Sequence, residues 1–127
     1  FIDNKSVMIW GAGYRANTGL TVNSAIHPLL KLLWSYHIKT TIYAPNAGFE
    51  LSQTYVDQPL MTLVDDPYLL SSVDALFVLN WSGAIPPNLE KLNQFSMPIF
   101  DAKNVFSDQM IAKLNSDYQG IGRNFSQ

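Results

Sequence analysis

The stretch WGAGYRANTGLTVNS, residues 10–24, stands between an apolar run and a leucine-rich segment. The run into it, SVMIWGA (6–12), is nearly continuous in apolar residues. A strand buried on both faces reads this way. The segment beyond it places apolar side chains at Ile26, Leu29, Leu30 and Leu33, with Leu32 and Trp34 on the flank. That spacing is the stripe of an amphipathic helix. Pro28 is tolerated only in a first turn, so the helix is expected to begin near Asn23 to Ala25, capped by Asn23 or Ser24. A strand, a glycine-rich turn and a helix form the opening unit of a parallel α/β sheet.

The rest of the chain repeats the alternation. IKTTIYA (38–44), PLMTLV (59–64), DALFVLN (74–80) and MPIFDA (97–102) have strand length, and YQGIG (118–122) is a short, glycine-broken sixth run. Helical patterns fall between them. DDPYLLSSV (65–73) has Pro67 near its start and acidic residues, Asp65 and Asp66, where a helix dipole favours them. PPNLEKLNQF (86–95) lines up Leu89, Leu92 and Phe95, and SDQMIAKLN (107–115) follows a Ser107 cap with Met110, Ile111 and Leu114. PNAGFELSQTYVDQ (45–58) reads as an irregular surface loop. The expected fold is a doubly wound, mainly parallel, Rossmann-like α/β sheet of about six strands, with helices on both faces. Residues 1–127 are expected to form a single domain, long enough to bury one core.

Composition narrows the function classes. Charged residues make up 14% of the chain, well below the usual ~25%, so part of the surface is neutral enough to face a partner. The net charge is −2 and the basic residues are scattered, which favours neither nucleic acid nor a membrane surface. With no Cys there is no disulfide, thiolate nucleophile or Cys-based zinc site. No apolar run approaches the ~20 residues of a membrane span. The first residues, FIDNKSV, lack an initiator Met and a signal-peptide core, and the chain is expected to be a piece of a longer protein.

Within the opening stretch, GAGYRA (11–16) matches a dinucleotide fingerprint with Ala in its last place. That fingerprint also wants a carboxylate at the end of the second strand to hold a ribose hydroxyl. Here the strand ends in Ala44 and Pro45, and the helix starts about ten residues after Gly13, so NAD is not expected to bind this chain alone. His27 and His37 have no third ligand beside them and are read as structural rather than metal-binding. Trp10, Trp34 and Trp81 are read as core or interface anchors. Ser24 and Ser107 are caps rather than nucleophiles, since no His and acid are placed to activate them. No catalytic residue is expected in the chain.

GYRANTGLTVNS (13–24) resembles the loop that opens the C-terminal domain of the UDP-glucose/GDP-mannose dehydrogenase family. The closing segment IFDAKNVFSDQMIAKLNSDYQGIGR (99–123) resembles that family's Asp-x-(Arg/Lys)-Asn turn, helix and final Gly-x-Gly-Arg. TTIYAPNA and VDALFVLNW stand, in order, where the family has its second strand and its Asp-Ala strand. The resemblance implies a substrate-capping domain of a cytoplasmic, NAD-dependent enzyme that oxidises a UDP-sugar to the uronate for polysaccharide biosynthesis. It implies that NAD and the catalytic residues belong to an N-terminal domain outside this chain, and that a full-length protein pairs as a homodimer through a long interdomain helix. Carried over residue by residue, the substrate contacts are Tyr14, Arg15 and Arg123. Guanidinium donors suit a diphosphate, and an aromatic ring offers a packing surface.

The chain departs from the family pattern at Arg15, Leu20, Val22, Asn23 and Ala44, where the family has Lys, Asp, Arg, Glu and Asp, and Arg15 stays cationic but differs from Lys in reach and geometry. Val22 offers no donor to an NAD pyrophosphate. These departures keep a second reading open, a non-catalytic Rossmann-like module that binds a ligand or a protein.

Overall fold

Five parallel pairings join six strands into one sheet of order β3-β2-β1-β4-β5-β6. The computed structural model describes residues 5–11, 26–45, 47–81 and 85–120. The elements run β1 (Ser6–Trp10), α1 (Ile26–Ser35), β2 (Lys39–Tyr43), α2 (Gly48–Thr54), β3 (Met61–Val64), β4 (Ala75–Val78), α3 (Leu89–Leu92), β5 (Ile99–Asp101), α4 (Asp108–Ala112) and β6 (Tyr118–Gly120). All six expected strands form, and the sheet is parallel throughout the described residues.

Alternation along the strands divides the core in two. Val7, Ile9 and Ile42 point to one face and are buried under Ile26, Leu30 and Leu33 of α1 and Leu51 of α2. Met8, Trp10, Leu76, Val78 and Ile99 point to the other, under Leu70, Leu92 and Phe106. Each face therefore carries its own helices, as in a doubly wound sheet. Fully burying one such aliphatic side chain contributes about 1.5–3 kcal/mol. Thr40, the one buried Thr among the described residues, is satisfied: its Oγ1 donates to the Leu60 carbonyl at 2.9 Å and accepts from Trp34 Nε1 at 3.1 Å.

Helix ends follow local chemistry. His37 closes α1 with φ 60°; its N–H donates to Trp34 O, and the Ile38 N–H donates to Leu33 O. This is a Schellman closure with His where Gly is usual. Ser107 caps α4 by accepting from Met110 N at 3.2 Å, as expected from the sequence. Asn88 caps α3 in the same way. Both helices are shorter than their sequence patterns, 86–95 and 107–115. The Asn23 and Ser24 caps expected for α1 lie outside the described residues.

Two expectations are corrected. Residues 45–58 contain a helix, α2, held by burial of Leu51 rather than by any side-chain cap. Residues 65–73 do not form a helix. Asp66 Oδ1 instead accepts from Tyr68 N at 2.9 Å, an Asx turn, and the Pro67 carbonyl is taken by Trp10 Nε1 at 2.9 Å. Asp66 thus stabilises a turn rather than a helix dipole. This connection lays Leu70 across the second face.

Candidate functional site

At the carboxyl edge, Val64, Tyr43, Trp10, Val78, Asp101 and Gly120 stand in register as one row across all six strands. β1 leads away to β2 on one side, and its neighbour β4 leads away to β5 on the other. In open α/β sheets ligands bind in the crevice at such a switch point. Its floor is Gly11 against Asn80. The Trp10 carbonyl accepts from Leu79 N at 2.9 Å and Asn80 N at 3.1 Å, and Gly11 N donates to Tyr43 O at 2.7 Å. Gly11 has φ 83°, and a Cβ there would lie 2.4 Å from Asn80 Cβ and 2.5 Å from its carbonyl oxygen. Only glycine meets both demands. Asn80 is 8% exposed, and its Oδ1 accepts from Trp81 N at 3.1 Å.

Aromatic rings support this floor. Trp10 is fully buried, 4.7 Å from Trp81 and 5.8 Å from Tyr68 between centroids. Tyr43 lies 5.9 Å from Trp81. The indole of Trp81 donates to the Ile85 carbonyl at 2.9 Å, which fixes its orientation. Burial raises the Tyr68 phenol above its ordinary value, and Tyr43 and Asp66 push the same way, against the hydrogen bond from Asn88 N. The tryptophans are anchors, as the sequence reading expects.

A different device holds the ends of β5 and β6. Asp101 is 2% exposed. Its Oδ1 accepts from Lys103 N at 3.1 Å, and its Oδ2 accepts from Phe106 N at 3.1 Å and from the Tyr118 hydroxyl at 2.6 Å. The Asp-x-Lys-Asn turn is thus wound around a buried carboxyl group, with Asn104 at φ 54°. Lys103 is exposed at this edge. Lys5 and Lys39 belong to the opposite edge, where the strands begin.

Tyr14, Arg15 and Arg123 all lie outside the described residues, as do residues 12–25 and 82–84, which follow Gly11 and Trp81 in the chain. The loop origins for Tyr14 and Arg15, and for Arg123, are therefore fixed at Gly11 and Gly120. Asn80 and Lys103 were not singled out in the sequence. A polar residue ending a doubly buried run was the available signal for Asn80, and a cation in the Asp-x-Lys-Asn turn was the signal for Lys103.

No family model and no curated protein matches the sequence. Among solved structures, the chain is similar to a UDP-glucose dehydrogenase from the hyperthermophilic archaeon Pyrobaculum islandicum, at TM-score 0.65 and 20% identity. The match covers 91% of this chain and 25% of that one. The likeness is one of fold. The family resembled by the sequence and the enzyme matched by the structure agree, and the chain spans a quarter of that dehydrogenase.

Two hollows open beside the switch point, among the described residues. One, of about 350 Å³, is lined by Ala44, Pro45, Phe49, Leu63 and Asp65 at the ends of β2 and β3. The other, of about 370 Å³, lies over Phe77, Leu79 and Phe100 at the ends of β4, β5 and β6. The end of β2 carries Ala44 and Pro45, where a dinucleotide site would want a carboxylate. Among the described residues, no three His, Asp or Glu side chains gather where they could hold a metal ion, and no helix is long and apolar enough to cross a membrane.

Proposed function

We propose that residues 1–127 are a single domain of an NAD-dependent nucleotide-sugar dehydrogenase and close over the nucleotide end of a UDP-sugar. The observation that carries this reading is the fold likeness to a UDP-glucose dehydrogenase over 91% of the chain. The ordered sequence resemblance and the switch-point crevice at Gly11 and Asn80 support it. In this reading the diphosphate lies at the carboxyl edge, met by Tyr14 and Arg15 from the loop after β1 and by Arg123 from the segment after β6. Lys103 adds a cation on the same edge. The NAD and the catalytic residues belong to another domain of a longer, cytoplasmic, homodimeric enzyme, so this chain binds and does not catalyse.

Ala44 and Pro45 at the end of β2 favour the alternative of a non-catalytic Rossmann-like module. Titrating UDP into the chain while following its amide signals by NMR separates the two. One or two charge-assisted contacts give about 1.5–3 kcal/mol each, set against several kcal/mol for lost freedom on association. The expected affinity is about millimolar at best, with shifts at residues 13–19 and 120–124 that Arg123→Ala abolishes. Shifts confined to residues 45–58 would replace the dehydrogenase reading with the module.

A further inference from the structure

We propose that the β3 edge of the sheet, together with α2, is a docking surface for a basic amphipathic helix of a partner protein. The surface is separate from the switch point and stands with either reading of it. It is recognised first by the placement of charge. Residues 40–73 carry Glu50, Asp57, Asp65 and Asp66 and no Lys, Arg or His. In a chain with only 14% charged residues, a stretch of one sign sets the field along a whole edge.

The topology gathers these acids on one side. β3 is the outermost strand, beyond β2. α2 packs over both through Leu51, buried among Ile42, Met61 and Leu63. Asp57 precedes β3 and Asp65 follows it, and both are exposed. Among the described residues neither is paired with a Lys or Arg. Lys39, the base that precedes the stretch, opens β2 at the opposite edge from Asp65.

Apolar side chains stand beside the acids. Phe49 is 80% exposed and Val56 74%. Phe49 walls the hollow of about 350 Å³ together with Pro45, Leu63 and Asp65. Phe49 lies in the first turn of α2 and Val56 just past its end, a separation of about 10 Å along a helix axis. A partner helix presents apolar side chains two turns apart at about that spacing, with Lys or Arg alongside them. Its apolar residues cover Phe49 and Val56, and its cations meet Asp65 and Asp57. The same acids repel nucleic acid and anionic lipid. A second copy, related by a two-fold axis, would set acid against acid.

A peptide of about 14 residues, with Leu on one helical face and Lys on the other, tests the surface when titrated into the chain and followed by NMR. The signals of Phe49, Val56, Asp57 and Asp65 should shift, and those of Lys103 and Lys113, toward the β6 edge, should not. Phe49→Ala, at an exposed position that does not threaten folding, should weaken binding about fivefold. Asp65→Asn should weaken it about threefold. Glu90→Gln, which removes an acid on α3 outside the surface, should leave it unchanged. Equal weakening by Asp65→Asn and Glu90→Gln would mean attraction by net charge alone and would overturn the surface. So would binding indifferent to Phe49→Ala. Self-association of the chain that Phe49→Ala abolishes would put a second copy in the partner's place, and that also overturns the proposal.

Discussion

The chain leaves the sheet at β1 and at β5 under two different kinds of control. At the β1 exit the lock is steric and made of backbone: Gly11 lies against the backbone of Asn80 with a positive φ, and no side chain fits. At the β5 exit the lock is polar and made of one side chain, with Asp101 gathering two backbone N–H groups and the Tyr118 hydroxyl. The first defines its loop by leaving no room. The second defines its turn by leaving no donor unsatisfied. A steric lock fails when atoms are added, and a polar lock fails when they are removed.

Gly11→Ala should therefore have the largest effect, a loss of about 4 kcal/mol from left-handed strain and overpacking together. The urea midpoint measures it. Because the new Cβ meets the Asn80 carbonyl as well as its Cβ, adding Asn80→Gly should recover little. Full recovery would show that the contact is between side chains and would erase the contrast. Asp101→Ala should come next, at about 3 kcal/mol, since it leaves three donors without their acceptor. Tyr118→Phe removes one of those bonds and should lose about half as much, about 1.5 kcal/mol. Equal losses for the two would mean that the backbone donors contribute nothing.

The smallest effect is one of pH and falls on the β1 side, where Tyr68 packs edge-on against Trp10. Burial raises the Tyr68 phenol above 10.0 in the folded chain, while an unfolded phenol titrates at about 10. The folded state holds that proton more tightly. The stabilisation is complete below about pH 10 and is lost as pH rises through the folded value. A urea midpoint that falls in alkali for the native chain, and falls less in Tyr68→Phe, is the expected pattern.

The strands were legible because a doubly buried parallel strand is written as a continuous apolar run, and SVMIW and ALFV are such runs. α1 was legible from Ile26, Leu30 and Leu33 at helical spacing. α2 was not, because GFELSQT buries only Leu51 and has no capping side chain. Its helicity is imposed by packing against the sheet, where sequence periodicity has nothing to show. Asp65, Asp66 and Pro67 misled in the opposite direction. They carry the chemistry of a helix start, but the Pro67 carbonyl serves Trp10, a partner 57 residues away. At the site, the glycine of the first turn and the acid of the Asp-x-Lys-Asn motif were visible as residue types. That Gly11 meets Asn80, and Asp101 meets Tyr118, depends on strand order, which no local pattern carries.

The burial of Trp10 beneath the crevice has an optical consequence. Its indole is shielded from water and lies 4.7 Å from that of Trp81, with Tyr43 beyond it. Trp34, the remaining tryptophan of the three, lies across the sheet beside Tyr55. Light absorbed by the first pair is emitted from directly under the switch point, while Trp34 emits from the far side. A ligand at the switch point would perturb the Trp10–Trp81 pair and leave Trp34 untouched, and with Trp34→Phe the remaining emission would report on that point alone.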